Sequence, residues 1–331
     1  MTASAQRVLH CKTDRRKGPT SVAPTLFEIW IGSRVLRKPL TTTHPHGYVL
    51  ARSDLAFALL RISKNASTES KNRLGCTNWL AFDAYEGPVV AFLREPVSRF
   101  LSSIPETALR MTHFAISEEW RKDRVVIEED IYQELLGLAQ APIGKVIEAF
   151  VELVAYDFFD AHHEPQHAFF TDRHLRLRLD PYLYLTESFE TAVQQIEARC
   201  RIRTERNPGR GNEGGAKPVV GRTPLIDLAR KATRTGVYRR VAHCGFLGQR
   251  YRGDPGPARL HELNAMANRF AREVKAHALP DDVRRQILAI YALDQELWRT
   301  VTASGGDFPA SMAWPAITAA VGSISAAAQC A

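Results

Sequence analysis

The run Val89-Val90-Ala91-Phe92-Leu93 passes without a break into Arg94-Glu95-Pro96-Val97-Ser98-Arg99-Phe100-Leu101-Ser102, and this junction constrains the fold more than any other part of the chain. A short apolar run with β-branched and aromatic members fits a buried strand. Pro96 restricts Glu95 to extended geometry, after which a helix carrying Arg99 and Ser102 can begin. Arg94 therefore stands at the carboxyl end of a strand. Open α/β sheets bind their ligands at that edge, and a guanidinium there can hold a phosphate through two parallel hydrogen bonds. On these residues alone, an ordinary strand-turn-helix with surface arginines is an equal reading.

Strands and helices alternate on both sides of this junction. Ala56–Ile62 reads as a buried strand, and Thr68–Phe82, with Leu74 and Trp79 among its apolar positions, as the helix that follows. Helical patterns recur at Ser98–His113 and at Ile131–Ala155, the latter with Ile131, Leu135, Leu138 and Ile143 on one face. Tyr182–Leu185 is a third strand and Glu190–Arg199 an amphipathic helix. The fold class predicted is α/β, a three-layer arrangement with a central, mainly parallel sheet flanked by helices. Residues 1–24 read as a disordered basic leader and 25–303 as a single domain. That domain carries a Gly-rich loop and helical insertion at about 207–278. Within it, Leu225–Ala232 and Pro257–His277 are helical, and the last clear helix runs from Pro280 to about Val301, leaving 304–331 as a flexible tail.

Composition narrows the function classes. With 45% hydrophobic residues in 331, the chain can bury a sizeable core. Its 44 Lys and Arg against 36 Asp and Glu give a net charge of +8, which attracts anionic ligands. The basic residues are spread along the chain without a nucleic-acid-binding signature, so nucleic acid is not the expected partner. Cysteines 11, 76, 200, 244 and 330 are odd in number and lack C-x-x-C spacing, which argues against a disulfide framework or structural zinc. The first twenty residues have no apolar core, and Ala313–Ala331 is too weakly apolar to span a bilayer. A cytoplasmic protein with no membrane span and no metal is expected.

A second anion-binding segment lies upstream. The Ala56–Ile62 strand leads into Ser63-Lys64-Asn65-Ala66-Ser67-Thr68, which opens a helix. Unpaired amides of the first helical turn, the helix dipole, Lys64 and the Ser67 and Thr68 hydroxyls together suit an oxyanion. The nucleotide-triphosphatase pattern G-x-x-x-x-G-K-[ST] is absent. A helix cap beside an exposed lysine is the plainer alternative.

Strand-Lys-loop-helix followed by strand-Arg-x-Pro-x-x-Arg-x-x-Ser resembles the sulfotransferases that use 3′-phosphoadenosine 5′-phosphosulfate, most closely their carbohydrate branch of the chondroitin type. The resemblance spans most of residues 56–206 and the closing helix. Ser63–Thr68 resembles the loop that holds the 5′-phosphosulfate, and Arg94 with Ser102, eight positions apart, the pair that holds the 3′-phosphate. Ala161-His162-His163-Glu164-Pro165-Gln166 is similar to a His-Trp-x-Pro-Gln segment, with His163 in place of the tryptophan. Tyr182–Thr191 is similar to a strand ending in Phe-Glu, and Ile287–Asp294 to an Ile-Tyr-x-x-Asp closing helix. Ser63 stands where proline is frequent and Ala66 where glycine is common. A rival register, Cys76-Thr77-Asn78-Trp79, would put Arg73 in the lysine's place.

The resemblance implies a P-loop-like fold and in-line transfer of a sulfuryl group to a hydroxyl, most plausibly of a carbohydrate. Lys64, Asn65, Ala66, Ser67 and Thr68 would cradle the 5′ end of the donor, and Arg94 and Ser102 its 3′-phosphate, with Lys64 neutralising charge on the leaving phosphate. His162 and His163 are the candidate general bases, since imidazole titrates near neutrality. His113, His167, His174, Glu164 and Glu187 are the other candidates. Arg99 either assists the clamp or pairs with a surface carboxylate. Arg173, Arg176 and Arg178 either bind an acidic sugar or form the solvated face of a strand. Two other functions compete: a P-loop-like kinase, and a non-catalytic nucleotide- or polyanion-binding protein.

Overall fold

The computed structural model describes residues 47–111, 129–156, 162–172, 174–204 and 255–327. Its first half contains β1 (Tyr48–Arg52), β2 (Ala58–Leu60), α1 (Ser67–Leu74), β3 (Cys76–Ala81), β4 (Val89–Leu93) and α2 (Pro96–Met111). Then come α3 (Glu129–Gln140), α4 (Ile143–Tyr156), β5 (Tyr182–Leu185), α5 (Phe189–Cys200), α6 (Pro255–Ala276), α7 (Asp281–Ile290), α8 (Ala292–Ala303), β6 (Phe308–Pro309) and α9 (Ala310–Ala327).

The described strands form one sheet in the order β3-β1-β2-β4-β5-β6. β4 lies at its centre, parallel to β2 on one side, where Leu59 registers with Val90, and parallel to β5 on the other, where Ala91 registers with Leu183. Strand periodicity divides the apolar run between two layers. Val89, Ala91 and Leu93 face Leu297, Val301 and Trp314 of α8 and α9, whereas Val90 and Phe92 face Leu74 of α1 and Val193 and Ile196 of α5. A third apolar cluster, with Phe100, Leu135, Phe150, Phe270 and Ile287, packs α2, α3, α4, α6 and α7 together. After β2 the chain turns away through α1 to β3, and after β4 it leaves through α2 toward β5. Connections that depart in opposite directions make the carboxyl ends of β2 and β4 a topological switch point, the place where open α/β sheets form their binding crevice.

The α/β class holds, and the sheet is mixed rather than mainly parallel. β1 pairs antiparallel with both β2 and β3, and β6 antiparallel with β5, so only the central strands run parallel. The expected Thr68–Phe82 helix stops at Gly75, whose φ of +67° closes α1 with a bond from its N–H to the Lys71 carbonyl. Cys76–Ala81 then becomes strand, because β1 offers it a full ladder. Gly75→Ala is expected to cost about 1 kcal/mol in chemical denaturation, since a Cβ disfavours this left-handed conformation. The Ile131–Ala155 helix is two, divided at Ala141-Pro142, and the Pro280–Val301 helix is two, divided at Tyr291. The stretch 304–331, expected as a tail, contains β6 and α9, whose Ala313, Trp314 and Ile317 complete the core beneath the sheet. In the expected insertion, α6 supplies Leu263, Met266 and Phe270 to the helical cluster. The leader 1–24, the Gly-rich loop and Leu225–Ala232 lie outside the described residues, as do His113 and Arg173. Among the described residues no helix is long and apolar enough to cross a membrane.

Candidate active site

The loop between β2 and α1 is held in an unusual backbone shape. Lys64 and Ala66 both take left-handed conformations, with φ of +65° and +51°, a disfavoured region for residues bearing a Cβ. Left-handed residues in a turn are one way in which backbone amides come to face an anion. The Asn65 N–H donates to the Ile62 carbonyl at 3.3 Å, closing the turn. α1 starts directly from it. Ala66 is the N-cap and has no side chain able to accept from the first-turn amides, so the positive helix end faces the crevice without a cap of its own. Ser67 and Thr68 open that turn.

Cations surround the loop. Arg94 Nη1 donates to the Lys64 carbonyl at 3.3 Å and to Ser102 Oγ at 3.0 Å, and Ser102 Oγ donates in turn to the Arg99 carbonyl at 2.8 Å. The pair expected from an eight-residue spacing is therefore in contact. It forms because Glu95 caps α2, accepting the Ser98 N–H on Oε2 at 2.6 Å, with Pro96 at the first helical position. Arg99, one turn further, is only 1% exposed and donates from Nε to the Ser63 carbonyl at 3.0 Å. Its Nη2 is buried with no hydrogen-bond partner. Among the described residues no carboxylate comes within ion-pairing distance of Arg94 or Arg99, and Lys64 Nζ meets Glu106 Oε2 at 3.6 Å. Burial lowers the pKa of both arginines. Glu187 and Glu95 oppose the shift at Arg94, and Tyr291, Asp294 and Glu164 oppose it at Arg99. A guanidinium stays charged regardless, so burial turns these side chains into a fixed positive potential.

A polar bridge fixes the clamp from below. The Gln166 side chain pairs with the Arg94 backbone as a neighbouring strand would: Nε2 donates to the Arg94 carbonyl at 2.9 Å, and Oε1 accepts the Arg94 N–H at 2.9 Å. Oε1 also accepts from Asn65 Nδ2 at 2.5 Å, and the same Nδ2 group donates to the Phe92 carbonyl at 2.6 Å. The side chain of Asn65, expected to bind the donor, is thus a buried cross-link between the two loops. Gln166 is itself held by Asp294 of α8, whose Oδ2 accepts the Gln166 N–H at 2.6 Å. Asp294 Oδ1 accepts the His167 N–H at 3.1 Å and lies 2.7 Å from His167 Nδ1.

The two adjacent histidines are both buried. His163 is 0% exposed, its ring against Phe100 and Phe150 with centroids 5.3 and 5.6 Å away, and its carbonyl accepts the Tyr291 hydroxyl at 2.6 Å. His162 is buried too, with its carbonyl 2.6 Å from Ser103 Oγ. Both candidate bases are thus buried side chains, His162 beside α2 and His163 among the rings of the helical cluster. His167 is committed to Asp294 and lies against Trp314. His174, Arg176 and Arg178 are exposed beside a cavity of about 480 Å³, also walled by Phe169 and Thr171. Gly47 also lines it, and the Arg178 guanidinium lies 5.8 Å from the Phe82 ring centre. The rival cradle at Cys76–Trp79 is strand β3, with the Cys76 thiol buried and pushed up to about 12 by that burial. Among the described residues no group of His, Cys, Asp and Glu side chains could hold a metal ion.

No protein-family model, curated protein or solved structure matches this chain.

Proposed function

We propose that this protein is a P-loop-like sulfotransferase that moves a sulfuryl group from 3′-phosphoadenosine 5′-phosphosulfate to a hydroxyl, most plausibly on a carbohydrate. One observation carries the reading: Lys64, Arg94 and Arg99 converge on the Ser63–Ala66 turn, and two of these cations have no carboxylate within ion-pairing distance among the described residues. Structural ion pairs balance their charges. An excess of buried positive charge around an uncapped helix start suits a ligand with negative charge at two ends.

The donor supplies an activated sulfate whose departure leaves charge on a phosphate oxygen. Lys64 and the amides of the turn stabilise that charge, and the Arg94–Ser102 pair fixes the register of the donor by holding its 3′-phosphate. The acceptor approaches from the same sheet edge and loses its proton to a general base, for which His162 and His163 are the candidates that the resemblance offers. The absence of the G-K-[ST] sequence favours this chemistry over a magnesium-dependent kinase.

The test is transfer itself. Incubated with the sulfate-labelled donor and a panel of unsulfated glycans, the protein should label at least one glycan and should transfer no phosphate from ATP. Phosphate transfer without sulfate transfer would identify the kinase alternative and remove the sulfotransferase reading.

A further inference from the structure

We infer that Arg99 is a positioning residue for the 5′ end of the donor, acting through the Ser63 carbonyl and without contact to the ligand. The inference rests on the donor reading above and adds a division of labour between two neighbouring arginines. Its basis is the planarity of the peptide unit. The carbonyl and the N–H of one peptide plane point in opposite directions, so whatever anchors the Ser63 carbonyl also aims the Lys64 N–H. Arg99 Nε holds that carbonyl at 3.0 Å from beneath the loop, which turns the Lys64 amide to the opposite side. The left-handed φ of +65° at Lys64 is disfavoured in an unconstrained turn, and this anchor holds it.

Three further observations fit a positioning role rather than a surface ion pair. Arg99 is fully buried on α2, so it is fixed by the core rather than by solvent. Its Nη2 is buried without a hydrogen-bond partner, as is Ser63 Oγ, so Nε to the Ser63 carbonyl is the guanidinium's hydrogen bond to the turn. The Arg99 carbonyl accepts the Ser102 hydroxyl at 2.8 Å, so the residue joins the turn to the member of the clamp that serves the other phosphate. Arg94 differs: it pairs directly with Ser102 and reaches the turn only through a longer 3.3 Å bond to Lys64. Arg99 therefore serves the 5′ site, and Arg94 the 3′ site.

Calorimetry with three nucleotides on the full-length protein separates these roles. Adenosine 3′,5′-bisphosphate reports both sites, adenosine 3′-monophosphate the Arg94 site, and adenosine 5′-monophosphate the turn. Arg99→Met is expected to weaken the bisphosphate and the 5′-monophosphate by about tenfold or more, the scale of one charge-assisted hydrogen bond. The 3′-monophosphate should be unchanged. Arg99→Lys, which keeps the charge without the planar fork, should recover part of the loss. Equal weakening of all three nucleotides would mean that Arg99 merely supports the fold, and no weakening would remove its role; either result overturns the inference. A wild type that binds no bisphosphate overturns the donor reading itself, so the two failures are distinct. Should both variants misfold, the Arg99 Nε–H resonance of the wild-type protein decides: it should be protected from exchange and shift with the 5′-monophosphate but not with the 3′-monophosphate, and the reverse pattern contradicts the assignment.

Discussion

Asp294→Ala is expected to destabilise the protein by about 3–5 kcal/mol, the range for removing one partner from a buried, hydrogen-bonded charge cluster. The carboxylate is 1% exposed, accepts the backbone N–H groups of Gln166 and His167, and faces His167 Nδ1 at 2.7 Å. Its loss strands those donors in the core and removes the negative charge that partly balances Arg99. Burial pushes the Asp294 pKa up, but the His167 hydrogen bond and charge, the Arg99 charge and the Gln166 amide outweigh it, so the net shift is down from 3.8. The unfolded chain therefore binds the proton more readily than the folded one. The stabilisation is present above about pH 4 and is lost as pH falls through the lowered folded-state value. Urea unfolding at pH 7 should show the full penalty, and Asp294→Asn should unfold with a shallower acid dependence than wild type. A variant as stable as wild type, with an unchanged acid limb, would show that α8 does not anchor the Gln166 bridge.

Lys64→Ala is expected to lower the turnover of sulfuryl transfer by about 10²–10³-fold, the effect of deleting one donor aimed at developing charge. The lysine acts chiefly when charge reaches the leaving phosphate, so turnover should fall further than bisphosphate affinity. Its 3.6 Å pair with half-exposed Glu106 is of the partly solvated kind that contributes little to stability. Lys64→Arg should not restore the rate, because a planar fork does not replace a compact point charge in a turn this tight. Single-turnover transfer of labelled sulfate measures the step directly. Equal losses in turnover and affinity would assign Lys64 to binding alone.

Much of the frame was legible in the sequence where burial is two-sided. Val89–Leu93 and Tyr182–Leu185 are continuous apolar runs, and both are strands of the parallel centre. β1 is harder to read, because Tyr-Val-Leu-Ala-Arg is only five residues long, although Pro45 and Gly47 just before it mark a turn. β3 was read as helix because Cys76–Ala81 lacks apolar alternation, so the stop at Gly75 was the only local sign of a change. In the site, the Arg94–Ser102 contact was legible because a short helical segment fixes both ends. The Asp294–Gln166–Arg94 chain was not, since its members are 128 and 72 positions apart and only the fold brings them together. The segment His162–Gln166 was singled out for its histidines, yet its glutamine is the residue that touches the clamp. Pattern marks a segment as special without saying which side chain points where.

The central claim is that the Arg94–Ser102 pair and the Lys64 turn form a two-ended clamp for the donor nucleotide. Calorimetric titration of wild type and Arg94→Ala with adenosine 3′,5′-bisphosphate and with ATP tests it most directly. Micromolar-range bisphosphate binding is expected, weakened about tenfold or more by Arg94→Ala, with ATP bound far less well. Tight ATP binding with no response to the bisphosphate would contradict it.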